Sequence, residues 1–161
     1  MDTQLSQGRY HFELAYFEQD LEDEIDSFVY EPASGLFTAL NKQNDSSRKG
    51  IETVFEANIN QHMGLSASYT YTRARQTDGM GNSLPEVRRP KNMAAVAVNF
   101  YFEDNRGNVS LNVNYVGSQL DVFYDPVTYQ SGTIELDDYI VVDMAASWKL
   151  TNSLELTGRI S

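Results

Sequence analysis

From Tyr10 to the end of the chain, apolar and polar residues alternate with a period of two in one segment after another, and no segment sustains a period of 3.6. Alternation of this kind puts successive side chains on opposite faces of an extended strand. The spacing predicts strands over residues 9–30, 36–59, 64–75, 91–103, 108–119, 138–150 and 153–161. It is cleanest late in the chain. Ile140, Val142, Met144, Ala146, Trp148 and Leu150 share one face, against Tyr139, Val141, Asp143, Ala145, Ser147 and Lys149. Val109, Leu111, Val113 and Tyr115 likewise oppose Ser110, Asn112 and Asn114, and Ala94, Val96, Val98, Phe100 and Phe102 oppose Asn99 and Tyr101. Earlier, Tyr10, Phe12, Leu14 and Tyr16 alternate with His11 and Glu13, and Ile51, Phe55, Ala57 and Ile59 with Glu52, Glu56 and Asn58. Each strand therefore has a greasy face and a polar one.

The connections differ in length. "NQHMG", "EDNRGN" and "LTNS" hold the Gly and Asn that tight hairpin turns demand. Between them run the long polar stretches "QTDGMGNSLPEVRRPK" and "LDVFYDPVTYQSGTIELD". Short turns at one end of a sheet and long loops at the other is the plan of an outer-membrane β-barrel. A strand of about ten residues rises ~33 Å and, tilted by ~45°, covers ~24 Å, the height of the apolar band of such a barrel. Tyr69, Tyr71, Phe100, Phe102, Tyr115 and Trp148 lie near strand ends on the greasy face, where amphipathic rings favour the lipid–water interface.

Composition narrows the function. The 161 residues suit one unit, and the 41% apolar content never gathers into a run long enough for a spanning helix. With 23 acidic against 12 basic residues and a net charge of −11, nucleic acid is not an expected partner. The absence of cysteine excludes disulfides, thiolate metal sites and a cysteine nucleophile. The start, "MDTQLSQGRY", has neither the basic nor the apolar region of a signal peptide.

Six stretches carry a resemblance to a known family: "FELAYFEQDLEDEIDSF", "SSRKGIETVFEANI", "LSASYTYTRAR", "RRPKNMAAVAV", "VNYVGSQLD" and "DDYIVVDMAASWKLTNSLELTGRI". In their order and spacing the chain resembles the C-terminal β-barrel portion of a TonB-dependent outer-membrane receptor of the siderophore and vitamin B12 transporter type. The resemblance implies an all-β antiparallel transmembrane barrel segment of about seven strands, part of a barrel of about 22 closed around a plug domain. It also implies the outer membrane of a Gram-negative bacterium. Its function there would be uptake of a scarce nutrient, such as a ferric siderophore or cobalamin, energised by the TonB complex through the plug. Residues 1–161 are expected to form a partial barrel domain, without plug, signal peptide or the family's final strand ending in an aromatic residue. The expected partners are outer-membrane lipid and lipopolysaccharide, the remainder of the barrel, the plug and the TonB complex. An open sheet cannot satisfy its edge N–H and C=O groups in lipid, so the isolated segment is expected to misfold, aggregate or pair with something else. A competing reading is a soluble lipocalin-like β-barrel binding a small apolar ligand, with the greasy face turned inward.

Few residues carry chemistry. No catalytic constellation, cofactor motif or metal-ligand spacing stands out, and His11 and His62 lack a third ligand. Glu52 and Glu56, with Asn58, project to the polar face, as contacts to a plug or substrate or as solvated carboxylates of a water-filled lumen. Phe123, Tyr124 and Tyr129 are candidate ligand contacts, because exposed rings on a loop have no core to fill. The acidic run from Glu18 to Asp26 reads as a solvated strand extension, and "TDGMGNS" as an exposed loop. In "LPEVRRPKN", Pro90 suits the first position of a strand. Arg88, Arg89 and Lys91 are expected to anchor the outer rim through lipopolysaccharide phosphates or neighbouring carboxylates.

Overall fold

The computed structural model describes residues 9–22, 24–41, 45–78, 80–102, 106–128 and 130–161. The strands are β1 (Tyr10–Leu21), β2 (Ile25–Glu31), β3 (Leu36–Asn41), β4 (Ser46–Asn60), β5 (Met63–Thr77) and β6 (Ser83–Pro85). They continue with β7 (Asn92–Phe102), β8 (Gly107–Val116), β9 (Gln119–Tyr124), β10 (Ser131–Leu136), β11 (Tyr139–Thr151) and β12 (Leu154–Ile160). Seven of them form one antiparallel path in the order β1-β4-β5-β7-β8-β11-β12, with β6 added beside β5. Among the described residues β2 pairs only with β3 and β9 only with β10, as two separate hairpins.

The register carries the face assignment from β1 to β11, and the Met144↔Ile160 pair extends it to β12. Directly paired residues share a face, and Phe12, Phe55, Ala67, Val96, Val113 and Val142 follow one another through the successive pairings. The polar face is equally continuous, with His11 opposite Glu56, Glu56 opposite Ser66, and Asn112 between Ala97 and Asp143. Among the described residues no second layer covers the apolar face. Ala57 is the one buried hydrophobic residue among those described, while Ile51, Val96, Leu111, Val142 and Met144 are all exposed.

Curvature separates the two readings of the sequence. Two hollows open on the body of the sheet, one of about 260 Å³ beside His11, Glu56 and Tyr101, the other of about 130 Å³ beside Ser66, Ser68 and Asn112. Both are lined chiefly by polar-face positions, so the sheet curls with its polar side inward. A soluble ligand-binding barrel needs the opposite curl and a closed circuit. Here β1 and β12 do not pair with each other.

Two expected strands are each divided. The run 9–30 breaks between Leu21 and Ile25, and 36–59 breaks between Asn41 and Ser46. Each break falls in a polar run, residues 22–24 and 41–47, and because β2 and β3 are themselves extended, such a run reads as exposed strand and not as a change of partner. Pairing marks it instead: β1 meets β4 as far as Leu21↔Ser46, beyond which β2 and β3 fold on each other over a turn at residues 32–35. In that turn Gly35 adopts a φ of 69°, and its N–H donates to the Glu31 carbonyl at 2.9 Å. Both long loops expected from the sequence contain short strands, β6 in one and the β9–β10 hairpin in the other. Tight connections join β4 to β5 and β11 to β12 at one end, whereas all three long excursions leave from the other. Of the turn "EDNRGN", residues 103–105 lie outside the described set.

Candidate functional site at the long-loop rim

The rim at the long-loop end is held by charge. Arg48 projects from the polar face near the start of β4, and its guanidinium forks onto Glu86, with Nε–Oε2 of 2.8 Å and Nη2–Oε1 of 2.7 Å. The same Nη2 reaches Glu24 Oε1 at 2.7 Å, and the Ser46 hydroxyl donates to the other oxygen of Glu24 at 2.6 Å. Arg89 Nε adds a 3.3 Å contact to Glu86. Two arginines and two glutamates thus join the β1–β2 link, the rim of β4 and the loop after β6. Glu86 is only 7% exposed. Burial pushes its carboxyl up, but hydrogen bonds and charge from Arg48, then Arg89, outweigh that and hold it below the usual carboxylate range.

A second link joins that loop to the β9–β10 hairpin. Arg88 adopts a left-handed φ of 60°, its N–H donates to the Leu120 carbonyl at 2.7 Å, and its Nε meets Asp121 at 2.7 Å. The guanidinium, with the Val122 N–H beside it, holds the Asp121 carboxyl below its ordinary value. Between the two links opens a cleft of about 310 Å³, lined by Arg89, Lys91, Tyr115, Glu135 and Asp138 among others.

The residues singled out from sequence divide accordingly. Arg88 and Arg89 meet carboxylates, and Lys91, in the cleft, has no polar side-chain partner among the described residues. Pro90 precedes β7 by two positions, and the Lys91 carbonyl accepts the Thr72 N–H at 2.9 Å just ahead of the strand. Glu52 and Glu56 lie on the concave polar face, Glu56 beside both hollows. Phe123 stands over its cross-strand partner Gly132, whose missing Cβ its ring would otherwise meet. Tyr124 is 73% exposed on the same hairpin, and Tyr129 lies outside the described residues.

His62 Nδ1 sits 3.1 Å from the Tyr101 carbonyl, and His11 lies 3.7 Å from Glu13. Among the described residues no cluster of three His, Cys, Asp or Glu side chains could hold a metal. In the "TDGMGNS" loop Asp78 accepts the Met80 and Asn82 N–H groups and the Asn82 amide. Those bonds, the Asn82 side chain first, lower its carboxyl and occupy the oxygens that a cation would need.

Sequence reasoning did not single out Arg48, Glu24 or Glu86. The available signal was an arginine at a polar-face position of a strand rim, with a lone glutamate in a cationic loop to match it.

A family model described as TonB dependent receptor-like, beta-barrel, matches residues 2–161. The chain belongs to this family. No curated protein sequence matches it. Solved structures of similar fold include the FpvAI–pyocin S2 complex, at 20% identity and a TM-score of 0.72 over 96% of this chain and 21% of that one. FpvA from Pseudomonas aeruginosa PAO1, a pyoverdine outer membrane receptor bound to pyoverdine, gives 18%, 0.71, 94% and 22%. Fiu from E. coli K12, a ferric-catecholate import receptor, gives 18%, 0.66, 97% and 21%. This TonB-dependent receptor segment thus spans about a fifth of the length of the structures it matches.

Proposed function

We propose that the chain is part of the wall of an outer-membrane receptor that takes up a scarce nutrient, with energy supplied through TonB. The observation that carries this reading is the apolar band on the convex side of a seven-strand sheet, with every long excursion at one end. Lipid is the environment in which such a face needs no second protein layer. The outer edges of β1 and β12 then pair with further strands of the barrel. The concave face, with Glu52 and Glu56, borders a lumen that holds a plug domain through which the TonB complex acts. Outer-membrane lipid and lipopolysaccharide surround the convex face. Arg88, Arg89, Pro90 and Lys91 anchor the rim where the chain enters β7, and Phe123, Tyr124 and Tyr129 belong to the loop offered to the cargo.

The cargo class favoured is an iron chelate, ahead of cobalamin, because the similar receptors include ones bound to pyoverdine or importing ferric catecholates. The test is cell fractionation and uptake with the receptor that carries this segment. The expected result is heat-modifiable protein in the outer-membrane fraction and TonB-dependent uptake of labelled ferric chelate. A folded monomer stable in plain buffer would overturn the membrane reading, and uptake of labelled cobalamin alone would overturn the iron assignment.

A further inference from the structure

The outer face of the β4–β5 hairpin changes character as it rises towards the long-loop end. Its successive cross-strand pairs are Phe55 with Ala67, Thr53 with Tyr69, Ile51 with Tyr71, Lys49 with Arg73, and Ser47 with Arg75. Apolar residues give way to tyrosines, and the tyrosines to cations. From Met63 to Arg73 the strand climbs ten residues, about 34 Å along its length and ~24 Å of height at a tilt of ~45°, the thickness of a barrel's apolar band. Arg73 therefore stands where hydrocarbon ends and headgroups begin.

The pairing of Lys49 with Arg73 is unfavourable taken alone, since like charges directly opposite each other on a sheet destabilise it. Within the chain it is weakly compensated. Lys49 has Glu18 on its far side at 3.9 Å, both side chains more than half exposed, and that carboxylate also accepts the Tyr16 hydroxyl. Asp20 follows on β1, across β4 from Arg75. Arg75 donates to the Ser83 carbonyl at 3.3 Å. Arg73 has no polar side-chain partner among the described residues. In a protein of net charge −11, this concentration of cations on the outward face calls for an anion. The rim arginines Arg88 and Arg89 are weaker rivals for it, because they hold Asp121 at 2.7 Å and the buried Glu86 at 3.3 Å, closer than Lys49 stands to Glu18.

We propose that Lys49, Arg73 and Arg75 form a binding site for the phosphate groups of a membrane lipid headgroup, with Tyr71 beneath them at the acyl boundary. The guanidiniums of Arg73 and Arg75 grip phosphate oxygens with paired N–H donors, and Lys49 adds a point charge. The proposal rests on the convex face being the lipid-exposed one.

The test measures lipid binding by the intact receptor barrel carrying this segment, purified in detergent. The probes are lipid A, lipid A stripped of its phosphates, and inorganic phosphate. The expected result is retention of lipid A by the unaltered barrel, falling roughly fivefold for each cation removed in Arg73→Gln, Lys49→Gln and Arg75→Gln. Arg73→Lys should restore part of the loss, and Lys149→Gln, on the polar face at the opposite end, should change nothing. Equal retention of the stripped lipid, an unaffected triple variant, or capture of inorganic phosphate in place of the lipid would overturn the site. These results leave the membrane reading standing, provided that the unaltered barrel is heat-modifiable and recovered from outer membranes. A barrel recovered from buffer as a soluble monomer overturns both.

Discussion

Arg48 and Glu86 form a two-pronged ion pair, with 2.7 and 2.8 Å contacts, between the inner rim of β4 and the loop that follows β6. Glu86 is the more buried partner, and Arg48 retains 20% side-chain exposure. Removing the arginine strands a carboxylate that water barely reaches. Arg48→Met is therefore expected to destabilise the rim by about 3 kcal/mol, as breaking a buried pair does, while Arg48→Met combined with Glu86→Leu recovers much of the loss. A double-mutant cycle read by hydrogen exchange of residues 80–91 checks this, and additive single effects would refute the coupling.

The acid response of the same loop follows from the two depressed carboxyls. Glu86 and Asp121 ionise more readily in the folded rim than in an unfolded chain, so the folded state binds fewer protons through that range and gains stability as pH rises. Their contribution is complete above the ordinary carboxyl values of about 4, and it disappears as pH falls through the lowered folded values. Amide protection in residues 80–91 and 119–124 should be flat from neutrality to about pH 5 and should collapse below about pH 4. Loss of protection already between pH 7 and 6 would point to a different titrating group.

Arg88 combines a strained backbone with a useful side chain. Arg88→Gly relieves a left-handed conformation worth about 1 kcal/mol while losing an exposed ion pair worth about as much or less. Arg88→Ala keeps the strain and loses the pair. Glycine should therefore leave the β9–β10 hairpin more resistant to proteolysis than alanine does, and the reverse order would contradict the geometry.

Gly50 and Gly64 face the same concave side of the sheet but differ in the room around them. A Cβ at Gly50 would strike the Tyr71 backbone carbonyl and the Phe17 ring, whereas at Gly64 the nearest atom is 4.0 Å away. Gly50→Ala should lower the temperature at which the barrel unfolds in heat-modifiability assays, by a cost of about 1–3 kcal/mol from overpacking. Gly64→Ala should be close to neutral.

The two faces can be distinguished directly with charge. Val142 lies on the apolar face opposite Val113, and Asn112 on the polar face opposite Asp143. Val142→Arg should cost about 2–4 kcal/mol in a bilayer, the usual cost of a cation at the lipid midplane. Asn112→Arg should be tolerated. Equal effects in refolding titrations would mean that neither face meets lipid.

The seven main strands were legible because face parity is written into every second residue, and Val96, Val113 and Val142 fall on one side without exception. The two hairpins were not. The acidic run from Glu18 to Asp26 reads as a solvated extension of one strand, and nothing in a period of two tells one strand from two strands with different partners. At the rim, the cationic loop and its need for anions were legible, but the particular carboxylates that meet it were not. Glu24 and Asp121 lie 24 residues before Arg48 and 33 after Arg88, and only the pairing of the strands brings them close. Phe123 looked free on a loop because Gly132, the residue beneath its ring, becomes its neighbour only once the hairpin forms.

The strand order carries a kinetic consequence. Every pairing in the main sheet joins a strand to the next one along the chain once the excursions are set aside, and the longest excursion between β1 and β4 is shortened by folding on itself. No distant segment must be found before the next contact forms, so the entropy of loop closure stays small at each step. The wall can be laid down one hairpin at a time, each new strand using the exposed edge of the last as its template.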